Sequence, residues 1–137
     1  MLRIASVVLF AVVVGSALAQ EPGAKKVADA PAVVVKTVPA AGSEDVDPAA
    51  KEIRVTFSKE MTDKSWSWAT AAGYGAAIGG DNVRYDNDKK TCVVDVKLKP
   101  DTTYAAWINT AEFQNFKDAA GKPSVPYLLV FRTGKAK

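Results

Sequence analysis

The segment Leu98-Lys99-Pro100-Asp101-Thr102-Thr103-Tyr104 restricts the fold of this chain more than any other. Its spacing, Leu-x-Pro-x-Thr-x-Tyr, is that of a tyrosine corner, where a chain crosses between the two layers of a β-sandwich. Pro100 presets φ at the bend. The Tyr104 hydroxyl is expected to reach back to a backbone group a few residues upstream, so that the ring is buried while its polar tip is satisfied. Leu98, Pro100, Thr102 and Tyr104 are therefore read as structural residues.

Strand patterns surround this corner. In Ile53-Arg54-Val55-Thr56-Phe57-Ser58 the alternation is clean, with Ile53, Val55 and Phe57 facing in and Arg54, Thr56 and Ser58 facing out. Val33-Val34-Val35-Lys36-Thr37-Val38 precedes it as a first strand, stopped by Pro39 and the loop Ala40-Ala41-Gly42-Ser43. Ser65-Trp66-Ser67-Trp68-Ala69-Thr70 alternates as a third, followed by an Ala/Gly-rich loop through Gly80. Asn82-Val83-Arg84-Tyr85 then pairs across the turn Asp86-Asn87-Asp88-Lys89-Lys90 with residues 91–98, on which Cys92, Val94, Val96 and Leu98 share one face. Residues 103–109 leave the corner with Tyr104, Ala106 and Ile108 inward, and residues 127–133, apolar on both faces, close the set before Gly134.

Seven such strands in about 100 residues make the fold class all-β, an Ig-like Greek-key β-sandwich. One interruption is expected, at residues 109–126, where Asn109 and Glu112 have the spacing of a capping box. That spacing predicts a turn or two of helix, with Phe113 and Phe116 packed on one side against the sandwich edge. The alternative makes the two rings an exposed apolar patch for a partner.

The N-terminus reads as a targeting segment. Arg3 supplies a positive charge, residues 4–14 are apolar, and Ser16-Ala17-Leu18-Ala19 ends in a small-x-small pattern. Residues 1–19 are read as a signal peptide cleaved before Gln20, residues 20–31 as a flexible linker, 32–134 as the sandwich domain and 135–137 as a basic tail. The apolar stretch falls short of the roughly 20 residues that span a bilayer, so no membrane span is expected after cleavage. The chain is accordingly read as exported, whether periplasmic, surface-bound or released. Removing Arg3 from the 18 basic residues, against 15 acidic, leaves a net charge of about +2, too weak and dispersed to argue for nucleic acid and without an Arg/Lys cluster, so no nucleic-acid partner is expected.

Beyond the corner, Val38-Pro39-x-x-Gly42, then Val46, then residues 53–58 followed by Met61, resemble the opening of the SbsA-type Ig-like family, bacterial domains named after an S-layer protein. The resemblance continues in order through the corner, through Phe113-x-Asn115-Phe116-x-Asp118-x-x-Gly121-x-Pro123, and through the closing Phe131-x-Thr133-Gly134. It covers roughly residues 34–134. It implies an exported bacterial module with an Ig-like sandwich, an accessory unit or spacer of surface and secreted proteins, and it brings no shared catalytic residues. Family members commonly accompany an enzymatic or anchoring unit, and this chain is read as holding a single such domain alone. A fibronectin type III domain shares the corner but fits the Pro-x-x-Gly opening and the Thr-Gly ending less well.

The chemistry available is narrow. With no His, the chain lacks the means for Ser-His-Asp or Cys-His catalysis and for the imidazole-dependent zinc sites. Its one Cys, Cys92, lies on an inward face and reads as a small core hydrophobe. No metal or cofactor is implied. The loop carboxylates Asp81, Asp86, Asp88, Glu112 and Asp118 are available for a small hydrolase using paired acids. Asp86-Asn87-Asp88 lacks the Gly and the terminal Glu of a calcium loop and reads as a turn.

What remains is binding. Trp66, Trp68, Tyr74 and Trp107 are the candidate ligand-binding residues, since aromatic faces on a sandwich stack on sugars or grip an apolar partner. Trp66 and Trp68 share a strand face, and one is expected in the core with the other partly exposed near the strand end; Trp107 points opposite to Tyr104. The function expected is a non-catalytic structural or protein-interaction module of the envelope, its partner an envelope protein, or alternatively a glycan-binding module. Residues 33–38 and 127–133 are the expected open edges for strand addition.

Overall fold

The computed structural model describes residues 23–75, 77–78 and 81–137, together with positions 11 and 15. The expected signal peptide therefore lies, apart from those two positions, outside the described residues. Seven strands are present among them: β1 (Val34–Val38), β2 (Glu52–Phe57), β3 (Trp68–Thr70), β4 (Asp81–Tyr85), β5 (Thr91–Asp95), β6 (Thr103–Ile108) and β7 (Tyr127–Arg132). They form two antiparallel sheets, β1-β2-β5-β4 and β3-β6-β7. This is the strand order of constant-type immunoglobulin domains. No helix among the described residues is long and apolar enough to cross a membrane.

Alternation in the sequence translates directly into the core. Along β2 every second residue is buried, and Ile53, Val55 and Phe57 meet β5 in a register that sets Val55 opposite Cys92 and Ile53 opposite Val94. From the other sheet come Tyr104, Ala106 and Ile108 of β6 with Leu129 and Phe131 of β7. The Tyr104 and Phe131 rings stack at 5.4 Å. At the corner, the Tyr104 hydroxyl accepts a hydrogen bond from Lys99 N–H at 2.8 Å, and Thr133 Oγ1 accepts from Thr102 N–H at 2.9 Å. Two strands are shorter than their apolar patterns: the third begins at Trp68 and the fifth ends at Asp95.

The helix expected after Asn109 is absent, and the reason lies in Asn109 itself. Its φ is +61°, outside the helical region, and its side chain is fully buried. The oxygen that a capping box needs accepts instead from Phe116 N–H at 2.9 Å, while Nδ2 donates to Phe116 O, Ser124 Oγ and Ser124 O. Thr110, one residue on, takes the local role: its Oγ1 accepts from Glu112 and Phe113 N–H, and its own N–H donates to Phe113 O. The tight turn that results separates the two rings. Phe116 is fully buried against Phe57, whereas Phe113 is 57% exposed.

A second correction concerns the edges. After β1 the chain crosses to the other sheet, and residues 42–46 run beside β7. Gly42 N–H donates to Val130 O, Arg132 N–H to Ser43 O and Val46 N–H to Arg132 O, with a parallel bridge between Val46 and Thr133. The far half of residues 127–133 is thus covered rather than open. Gly42 sits at φ +84°, a conformation only glycine adopts without strain. At the N-terminal side, the segment read as a linker contains a 3-10 turn (Val27–Asp29), and Lys59 Nζ donates to Ala28 O and Ala30 O.

Candidate functional site

β3 is the edge of its sheet, and its side chains alternate between two environments. Trp68 pairs with Ile108 and turns inward, where its ring packs edge-on against Phe116 at 5.6 Å. Ala69 turns outward opposite Trp107. Trp66, two residues before Trp68, also packs on the core. Both indoles are half-buried, where one core and one partly exposed tryptophan was expected.

Between the outer edge of β3 and strand β4 lies a cleft of about 440 Å3, walled by Trp66, Trp68, Ala77, Ile78, Val83 and Phe113. Ser67, Ala69 and Thr70 complete the lining, which carries no charge. Trp68 Nε1 is buried and has no hydrogen-bond acceptor among the described residues. The cleft gathers two of the four aromatic candidates. Tyr74, 40% exposed in the connection after β3, and Trp107, on the outer face opposite Leu128, do not line it. Phe113 does, which its helical pairing with Phe116 in the sequence concealed. Only the turn at Thr110, held by distant partners of Asn109, brings that ring to the mouth.

The candidate acids are used separately. Asp86 pairs with Arg54, which also holds Glu52 at 2.8 Å, and Arg84 bridges Glu52 and Asp95 at 3.2 and 2.9 Å. These charges form a lattice across β2, β4 and β5. Asp88 closes its hairpin turn by accepting from Lys90 N–H, Thr91 N–H and Thr91 Oγ1, which holds its carboxyl below the ordinary range. Asp118 is buried. Burial alone would raise its carboxyl, but hydrogen bonds from Lys122 and Ala120 N–H, with Lys59 alongside, bring it below the ordinary range. Asp81 and Glu112 are exposed. Among the described residues no three His, Cys, Asp or Glu side chains are grouped to hold a metal ion. Cys92 is fully buried, and burial pushes its thiol up to about 12.

A family model described as a bacterial Ig-like domain matches residues 28–133. Among solved structures, the chain is similar to the crystal structure of the S-layer protein rSbsC(31-844) and to surface layer protein SbsC, domains 1-6, each at 20% identity and a TM-score of 0.53, covering 80% of this chain and 14% of that one. The N-terminal part of the bacterial S-layer protein SbsC is similar at the same identity and TM-score, and there the match spans 25% of the longer chain. At that identity the likeness is one of fold. No curated protein matches the sequence.

Proposed function

Because the chain belongs to the bacterial Ig-like domain family, we propose that it is a non-catalytic structural or protein-interaction module of the cell envelope, of the SbsA type, exported by the segment at residues 1–19. The observation that carries this reading is the match over residues 28–133, the stretch that contains all seven described strands. The sharing of its fold with surface-layer proteins supports an envelope setting. The separate engagement of the loop acids supports a non-catalytic role. Asp86 and Asp118 are held by a cation or by backbone N–H groups, and Asp88 by its own turn.

Expression of the full chain with a C-terminal tag in a bacterial host, followed by fractionation and N-terminal sequencing, tests the reading. The expected product begins at Gln20 and is recovered outside the cytoplasm. Recovery in the cytosol with Met1 or Leu2 at the N-terminus overturns it.

A further inference from the structure

We infer that the outer edge of β3, with the cleft beside it, accepts an added strand: an extended, uncharged peptide segment of a partner protein. The inference rests on the interaction-module reading and names the partner's chemistry. Its first support is the hydrogen-bond phase of β3. Ser67 O accepts from Asn109 N–H, and Ala71 N–H donates to Ala105 O, so in an antiparallel ladder Ala69 and Trp107 form the hydrogen-bonded pair between them. The N–H and C=O groups of Trp68 and Thr70 therefore point away from β6, and among the described residues β3 has no other strand beside it. Among the described residues nothing hydrogen-bonds to them.

The other outer edges are blunted in the ways that prevent strand addition. β1 has a register irregularity between Val34 and Lys36 and displays that lysine. β4 has one between Asp81 and Arg84, with Asn82 at φ +48° and Arg84 drawn into ion pairs. β7 is covered over its far half by residues 42–46. From Trp66 to Ala71 the β3 segment carries neither a charge nor a bulge.

The cleft supplies what an added strand needs besides main-chain pairing. Alternate side chains of such a strand face the sandwich interior, and here they meet about 440 Å3 of space walled by indole, phenyl and aliphatic groups. A charged side chain placed there would lose its hydration without gaining a partner, which restricts the segment to uncharged residues.

A phage-displayed library of random ten-residue peptides panned on the full protein tests this. Enriched peptides are expected to be uncharged with apolar residues at alternate positions, to quench tryptophan fluorescence, and to shift the amide resonances of Trp68 and Thr70. N-methylation of alternate amides in a synthetic binder is expected to weaken it at least tenfold, as is Thr70→Pro, which removes an N–H that β6 does not use. Should Thr70→Pro fail to fold, Val83→Lys, which puts a charge in the cleft, serves the same purpose. No enrichment, binders that map to residues 33–38, or binding indifferent to N-methylation would each overturn the inference while leaving the envelope-module reading intact. Soluble cell-wall polysaccharide shifting the cleft resonances where no peptide does would overturn it in favour of a glycan.

Discussion

Tyr104 is the residue on which both sheets turn. Its ring stacks on Phe131 and its hydroxyl accepts from Lys99 N–H, so Tyr104→Phe keeps the packing and removes one buried hydrogen bond. The substitution is expected to lower stability by about 1–2 kcal/mol, read as a shift of the urea midpoint; an unchanged midpoint would show that the bond contributes nothing. Cys92 gives a test of burial. With its thiol pushed up to about 12, it is expected to be inert to an aromatic disulfide reagent at pH 8 in the native protein and to react in full once unfolded. Asn109 is the residue the sequence misrepresents. Asn109→Ala strands Phe116 N–H and takes the donor from Ser124 O and Oγ, while Phe116 O keeps Ser124 N–H, and it is expected to destabilise by about 3 kcal/mol in the same titration. Tyr104 was legible because a corner is written in seven neighbouring positions. Asn109 was not, since its partners lie seven and fifteen residues away and only the fold brings them to it.

At the scale of elements, all seven strands were legible as alternating or β-branched runs between turn residues, because which face a side chain takes is a local property of the pleat. Strand ends were less so: Val96 to Leu98 continue the apolar pattern beyond Asp95, yet the ladder with β2 ends at Glu52, and past it only Val96 N–H finds a backbone partner, Lys51 O. The connection from Asn109 to Pro126 shows the converse. Its capping-box spacing is present, but the polar groups that would start a helix hold β6 to the loop before β7 instead. Asp118 organises the end of that loop, and its titration sets an acid limit. Its folded carboxyl lies below the ordinary value, so its stabilisation is complete above that ordinary value and is lost as pH falls through the lowered folded one. Asp118→Asn is expected to lose about 1–2 kcal/mol at pH 7 and to narrow the gap to the parent at pH 2–3, measured by urea titration at both pH values. A gap that stays constant with pH would assign the loss to packing rather than to charge.

Over the whole molecule, the decisive connection is the passage of the chain from β1 in one sheet to residues 42–46 alongside β7 in the other, which closes one lateral edge and leaves β3 beside its cleft at the opposite side. Gly42 makes that passage possible. Gly42→Val is expected to lose about 1–2 kcal/mol from a strained left-handed backbone and to raise hydrogen exchange at the Arg132 amide, which donates to Ser43 O. Unchanged protection at Arg132 would show that the strap forms without the glycine. The sequence by itself determined the all-β class, the corner, the inward residues of each strand and the core position of Cys92, since each is encoded in period-two alternation or in a short contiguous motif. Only the tertiary structure decided which edges are covered, that Phe113 leaves Phe116 to join Trp66 and Trp68, and that Tyr74 and Trp107 stand outside the cleft. Those outcomes depend on which strands become neighbours, and alternation specifies a face without specifying what lies across from it.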